Sequence, residues 1–339
     1  LSVDEKIELV KRNTDEVMTE EDLKKILKKK QPRVYWGTTP TGKPHLGYFL
    51  PMLKIADLLK AGFKVKILLA DLHAALDNTP WDILEERYKY YAATITLIIK
   101  SIGADTKNLE FVRGSDFQLK KDYVYDILKL SSFVSVSNAN KAASEVVKQG
   151  NNPKLGGLIY PIMQVLDEQY LNTDAQLGGT DQRKIMVLAR ENLSKLGYKP
   201  RVEIINPFVP GLVGKKMSAS DEKSKIDLLD DEKTVKEKIN NAEMVAGNPD
   251  NGIMAFCKYV IFTIKGDDGE KFIIKRPEKY GGNIEYEDYE KLEIDFINKN
   301  IHPLDLKNAV SDEINSLLRL FREDKTYNKL NELADKAYK

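Results

Sequence analysis

Val34-Tyr35-Trp36-Gly37-Thr38-Thr39-Pro40-Thr41-Gly42-Lys43-Pro44-His45-Leu46-Gly47-Tyr48 reads as a short strand, a Gly/Pro turn and the opening of a helix. Val34–Gly37 is β-prone and stops at Gly-Thr-Thr-Pro, after which Leu46–Leu59 carries apolar residues at helical spacing as far as Gly62. A strand running straight into a helix is the unit from which parallel sheets are built. Gly37–Lys43 matches most of the GxxxxGK[ST] phosphate-loop pattern, but its last position is Pro44. Proline offers no hydroxyl for magnesium and no backbone N–H for phosphate. The segment is therefore either an ordinary tight turn or a phosphate site of another design.

The alternation continues outward. Phe63–Ala70 is nearly continuous in Val, Ile and Leu and ends at Asp71, as in a strand buried on both faces. Trp81–Ile102 reads as an amphipathic helix closed by Gly103, and Leu109–Val112 as a third strand. From Phe117 to about Leu171 the pattern is mainly helical. Alternation then resumes with a strand at Ala175–Gly178, a helix over Gln182–Lys195 and a strand at Val202–Ile205. This order predicts an α/β fold, a Rossmann-type doubly wound parallel sheet over residues 31–225 with a helical insertion at about 117–171. A helical segment, 1–30, precedes it. A mainly α-helical unit, 226–339, follows where the chain becomes more polar and Lys-rich.

The 339 residues are 42% hydrophobic and 31% charged, enough for a sizeable core and about two domains. No run reaches the ~18 apolar residues of a membrane span, so no membrane partner is expected. Leu1–Lys30 lacks the apolar centre of a secretory signal. A single cysteine, Cys257, fits a reducing compartment, and a cytoplasmic location is the expectation. His45, His73 and His302 lie far apart and no Cys/His group has zinc spacing, so the metal expected is magnesium carried in by a nucleotide. A net charge of +1 neither requires nor forbids nucleic acid, and the Lys24–Lys30 cluster is readily a solvated face.

Four segments carry chemistry. In His45-Leu46-Gly47-Tyr48, Gly47 permits close approach to the backbone and the helix start favours phosphate. His45 can donate to phosphate as charge builds, although a lone histidine there is more often a helix cap. Gly214-Lys215-Lys216-Met217-Ser218-Ala219-Ser220 brings a lysine, two hydroxyls and several N–H groups, suited to a clamp on pyrophosphate or to a plain basic turn. In Leu158–Asp167 nearly everything is apolar except Tyr160, Gln164 and Asp167, at i, i+4 and i+7 on one helix face. That stripe either meets water or holds a small amphoteric ligand, with a carboxylate for a phenol O–H and amide and hydroxyl groups for an ammonium. Asp174–Arg183 then runs from a strand through a Gly turn into a helix, where Gly179 permits close approach and Asp181 can take ribose hydroxyls.

The strand–GTTPTGKPHLGY–helix segment, with KMSAS after the last sheet strand, resembles the class I aminoacyl-tRNA synthetases, whose HIGH and KMSKS signatures bind ATP. Tyr48 stands where the second histidine of the first signature would be, and Ala219 where the second lysine of the other would be. Both forms are similar to the archaeal and eukaryotic cytoplasmic tyrosyl enzymes. So are YPxxQxxD at Tyr160–Asp167, GGxDQR at Gly178–Arg183, and the segments Tyr35–Gly37, Ala70–His73 and Phe117-Gln118.

The resemblance implies a tyrosine–tRNA ligase that forms tyrosyl-adenylate and passes tyrosine to tRNA(Tyr), with ATP and its Mg2+ as substrate and no permanent prosthetic group. Carried over by position, His45, Lys216 and Ser218 would be catalytic. Gly37, Thr38, His45, Gly47, Gly179, Asp181, Lys216, Met217, Ser218 and Ser220 would bind ATP. Tyr35 and Asp167 would meet the phenol of L-tyrosine; Tyr160, Gln164 and Gln182 its ammonium; His73 and Gln118 would line its pocket. Arg183 would meet the tRNA acceptor end. Tyr280, His302 and Asp305, in KYGG and HPLDLKN segments similar to the family's anticodon readers, would touch the anticodon. The family also implies a homodimer built on the helical insertion. A tryptophanyl enzyme of the same fold and a non-catalytic RNA-binding relative are the alternatives.

Overall fold

Side chains alternate across β2 (Arg33–Thr38): Val34 and Trp36 enter one apolar core and Tyr35 the other. That alternation sets the layering of the molecule, a computed structural model that describes residues 1–147, 152–208, 210–212 and 225–338. Around β2 lie β1 (Glu16–Met18), β3 (Lys64–Leu69), β4 (Leu109–Arg113), β5 (Ala175–Gly179) and β6 (Val202–Asn206). They form one six-stranded sheet in the order β1-β6-β5-β2-β3-β4. All neighbours are parallel except β1, which pairs antiparallel to β6 along the edge.

The chain winds outward from β2 to β3 and β4, then returns to the other side of β2 for β5 and β6. Strand order therefore reverses between β2 and β5, where a crevice opens at the strands' C-terminal ends. One face carries the helices Phe49–Lys60 and Leu84–Ser101, and the other Gly156–Tyr170 and Arg183–Asn192. The doubly wound α/β expectation holds.

Two elements depart from the sequence reading. Leu1–Lys30 is not helical throughout, because Glu16–Met18 between its two helices supplies the antiparallel edge strand. A three-residue strand is too short to show period-2 alternation, so its neighbour β6 decides it. The C-terminal unit likewise contains a small hairpin, β7 (Phe272–Ile274) with β8 (Ile284–Tyr286). Among the described residues no helix is long and apolar enough to cross a membrane.

The N- and C-terminal parts are fastened to the sheet by buried polar groups. Lys54, 2% exposed, donates to the carbonyls of Leu9 and Val10, each at 3.1 Å, and of Arg12, closing the end of the helix Val3–Lys11. Burial lowers its pKa to about 8, with Asp57 opposing the shift. Arg12 pairs with Asp57 and also with Asp267, in the C-terminal unit. The last helix, Asp324–Tyr338, returns to pack on Leu84–Ser101, and Tyr338 donates to the Gly42 carbonyl at 3.0 Å.

Gly252, which opens the helix Gly252–Phe256, lies against the 210–211 backbone: a Cβ there would stand 2.4 Å from the Gly211 carbonyl oxygen. Helix propensity alone would make Gly252→Ala stabilising by about 1 kcal/mol. The clash reverses the sign, and a loss of about 1–3 kcal/mol is expected in a thermal melt. A raised Tm would show that the two segments part freely.

Candidate active site

The ends of β2, β3, β5 and β6 converge on a cleft of about 360 Å3. Of the residues expected to bind ATP or tyrosine, Tyr35, Gly37, Thr38, His45, Gly47, His73, Tyr160, Gln164, Asp167, Gly179, Asp181 and Gln182 all line it. Tyr160, Gln164 and Asp167 project from the helix Gly156–Tyr170 into this cleft rather than into bulk water, and all three are buried. Lys216, Met217, Ser218 and Ser220, with the rest of the Gly214–Ser220 segment, lie outside the described residues. The chain re-enters beside the first loop: Leu46 donates its N–H to the Ile226 carbonyl at 3.0 Å, and His45 and Asp227 form a backbone bridge. His45 caps the turn Leu46–Tyr48 through Nδ1, which accepts from the Gly47 N–H at 3.2 Å.

The deep end of the cleft is polar and buried. Asp167, 1% exposed, accepts on Oδ1 from Gln118 Nε2 at 2.8 Å and shares the Tyr123 hydroxyl proton, also at 2.8 Å, with the Met163 carbonyl. Its Oδ2 is turned to His73 Nε2 at 3.7 Å, beyond hydrogen-bond reach. Burial pushes the carboxyl up to about 7, against the pull of the two donors. His73 is pushed down to about 4 by burial, so the imidazole is neutral near pH 7 and the pair is not an ion pair. Gln118 Nε2 also sits 3.4 Å from His73 Nδ1, so the amide contacts both the carboxyl and the imidazole. Tyr35, 1% exposed, has a hydroxyl with no hydrogen-bond partner among the described residues. An unpaired phenol O–H and a carboxylate oxygen at the floor of one cavity suit a ligand that both donates and accepts there.

His73 and Gln118 are held from behind by Asp71. One Asp71 oxygen accepts from the N–H groups of Leu72 and Ser115, and the other from the Ser115 hydroxyl and Arg113 Nε, all at 2.6–3.0 Å. This locks the helix Asp71–Leu76, which carries His73, to the turn Ser115–Gln118. Gly114 leaves the room: a Cβ there would stand 2.6 Å from Gln118 Oε1 and 2.8 Å from Asp71 Oδ1.

Toward the mouth, Tyr160 OH pairs with Thr39 Oγ1 at 2.8 Å, and Gln164 Nε2 donates to Gln182 Oε1 at 3.0 Å. Gln182 donates in turn to Asp181 Oδ1 at 3.3 Å. A Cβ at Gly179 would stand 2.9 Å from that oxygen, so glycine lets Asp181 fold back over the turn.

Several expected residues are not on the cleft wall. Gln118 acts through Asp167 and His73 from behind it. Arg183 points away and pairs with Glu16 of β1 at 2.6 Å. Tyr280, His302 and Asp305 belong to the C-terminal unit. Conversely, Thr39, Asp77, Gln176 and Asn206 line the cleft, and Tyr123 supports it, without having been singled out. Gln176 carried a usable signal, a polar side chain within an apolar strand; it pairs in register with Tyr35. Beneath the floor lie Glu168 and Glu203, both fully buried and without hydrogen-bond partners among the described residues, their carboxyls held above the usual range by burial.

A family model described as tRNA synthetases class I (W and Y) matches residues 27–319. The chain belongs to this family. Within it, the chain is 50% identical over 341 residues to the cytoplasmic tyrosine–tRNA ligase of Danio rerio, covering 100% of this chain and 64% of that protein. The chain thus spans under two thirds of the vertebrate relative's length. Its identity to the cytoplasmic tyrosine–tRNA ligase of Saccharomyces cerevisiae is 50%, over 97% of this chain and 86% of that one. Among solved structures, tyrosyl-tRNA synthetase from Archaeoglobus fulgidus, crystallised with L-tyrosine, superposes with a TM-score of 0.88 at 38% identity. That match covers 97% of this chain and all of that one.

The ionisation of Asp167 sets a pH expectation for this member of the family. Its carboxyl accepts best when ionised, so affinity for a phenol donor should rise as pH increases through about 7 and fall below it. Affinity for a phenolic ligand, measured by calorimetry from pH 5.5 to 8.5, should show that inflection, and Asp167→Asn should flatten it. An unchanged inflection in the variant would assign it to another group.

Proposed function

We propose that the chain is a tyrosine–tRNA ligase: it activates L-tyrosine with ATP and transfers the tyrosyl group to tRNA(Tyr). The observation that carries the reading is the pair at the cleft floor. Tyr35 brings an unpaired buried hydroxyl, and Asp167 a carboxylate whose second oxygen faces the cavity's polar wall. The phenol of tyrosine would satisfy both at once, accepting from Tyr35 and donating to Asp167. The indole of tryptophan has a donor and no acceptor, so it would leave Tyr35 unpaired. The names of the relatives and the L-tyrosine in the archaeal structure support the same choice.

In the first step a tyrosine carboxylate oxygen bonds to the α-phosphorus of ATP as the bond from that phosphorus to the pyrophosphate oxygen breaks. No protein nucleophile is needed, and the work is positioning and charge stabilisation. Tyr160, Gln164 and Gln182 would orient the ammonium; Gly37, Thr38 and Gly47 would line the phosphate path; Gly179 and Asp181 would take the ribose. His45, with Lys216, Ser218 and neighbouring Met217 and Ser220, would meet the developing charge on the phosphates. Magnesium enters with ATP as the counter-ion of those phosphates. In the second step a ribose hydroxyl of the tRNA's terminal adenosine attacks the activated carbonyl carbon, AMP leaves and the hydroxyl proton is released. Arg183 would lie near the acceptor end, and Tyr280, His302 and Asp305 would meet the anticodon. A cytoplasmic setting follows the relatives' names.

We read the protein as a homodimer. The helix Lys121–Ser131 exposes Tyr125 (65%) and Leu128 (68%) at i, i+3, and Val136–Ala143 exposes Val136 (72%), large apolar side chains of the kind enriched at interfaces.

Two measurements test these readings. Pyrophosphate exchange should depend on tyrosine and not on tryptophan, and Asp167→Ala should lower the preference for tyrosine over phenylalanine by about ten- to a hundredfold. Exchange driven equally by tryptophan, or an unchanged preference in the variant, would overturn the assignment. In sedimentation, Leu128→Glu should convert a dimer into a monomer; a monomeric wild type would remove the dimer.

A further inference from the structure

Two exposed corners of the C-terminal unit carry the residues proposed to meet the anticodon, and one guanidinium joins them. Tyr280, 63% exposed, ends a single turn, Glu278–Tyr280, closed by Gly281 at φ +95° and Gly282 at φ +69°. His302 opens the helix Pro303–Leu317, where its Nδ1 accepts from the Leu304 N–H at 3.2 Å and Asp305 sits in the first turn.

Arg276 lies between these corners. Its Nε donates to the Gly282 carbonyl at 3.0 Å and its Nη1 to the Asn300 carbonyl at 3.5 Å, two residues before His302. Its own N–H is held by Asn283 Oδ1 at 3.1 Å. The Asn300 side is fixed in turn, since Asn300 Nδ2 and the Tyr286 hydroxyl bind the two oxygens of Asp295 at 3.0 and 2.9 Å. A planar fork reaches two carbonyls in different directions at once, which a lysine ammonium on a flexible stem does not reproduce. Gly281 completes the fit: a Cβ there would stand 3.3 Å from Arg276 Nη2.

We propose that Arg276 is a positioning residue for RNA recognition, setting the spacing between the Tyr280 turn and the His302–Asp305 helix start so that both engage one nucleotide segment. The proposal rests on the anticodon reading of this unit. Two of the Arg276 side-chain donors are given to protein carbonyls, and the proposal assigns its contribution to that positioning rather than to a general attraction for phosphate.

The test uses the full chain and two tRNA(Tyr) transcripts, one native and one changed at the first anticodon base. Arg276→Lys and Arg276→Gln are assayed for tyrosine-dependent pyrophosphate exchange and for steady-state aminoacylation. Both variants should keep wild-type exchange, which also reports an intact fold. Each should raise KM for the native transcript on the order of tenfold with little change in kcat, equivalent to losing one base contact. Discrimination between the two transcripts should shrink by the same factor. Full rescue by lysine, or an equal loss on both transcripts with a weaker salt dependence, would make Arg276 a phosphate contact and overturn the proposal. Loss of exchange in both variants would make it a general structural residue, with the same result. Tyr280→Ala and Asp305→Ala separate the two readings. If they change discrimination and Arg276 variants do not, this proposal alone fails; if they change nothing, the anticodon reading fails with it.

Discussion

A parallel sheet whose strand order reverses must leave its two central strands sending their chains to opposite faces. Between β2 and β5 that divergence opens a crevice no side chain of either strand can fill. Everything at the site follows from it. Gly37 to Thr39 leave β2 on one side of the gap, Gly178 to Gln182 leave β5 on the other, and the helix Gly156–Tyr170 roofs the deep end. The short edge strand β1 and the return of the last helix to Leu84–Ser101 stiffen this frame from outside.

Within the crevice, polarity is arranged in layers. Asp71 has its oxygens occupied by four donors and serves to hold two segments together. His73 and Gln118, which those segments carry, turn toward Asp167. Asp167 in turn has one oxygen occupied and the other turned to the cavity side. On the Asp71 side hydrogen-bonding capacity is thus used up behind the wall and left open at Asp167, whereas Glu168 and Glu203 beneath the floor keep theirs unused among the described residues.

Much of this was legible from periodicity and local chemistry. The long helices declare themselves by periodicity, and β3 by its largely apolar run ending at Asp71. The face shared by Tyr160, Gln164 and Asp167 was legible because helical spacing is a geometric fact; that it meets a cleft rather than water was open until the roof helix was seen over the sheet. Tyr35 and Gln118 could be placed only by resemblance, since a tyrosine in a strand and a glutamine in a short turn look alike in any fold. Tyr123 carried no signal at all: its partner Asp167 is 44 residues away and only the packing of two insertion helices brings them together. The strand Glu16–Met18 and the β7–β8 hairpin were illegible for a related reason, being too short for a period and fixed by pairing partners instead.

The buried acids beneath the cleft carry a cost that reaches beyond the site. Asp167, Glu168 and Glu203 are all more readily protonated in the folded chain than in an unfolded one, because burial penalises their charged forms. Between the ordinary carboxyl range near pH 4 and the raised folded values, the folded protein holds protons that the unfolded chain has released. Linkage then gives stability that declines as the solution becomes more alkaline across that window. A salt-bridged surface carboxylate does the opposite, favouring the fold as it ionises. The half of the molecule built on the six-stranded sheet is therefore a reservoir of protons, and a solution alkaline enough to ionise Asp167 also draws on the protons that keep its surroundings neutral.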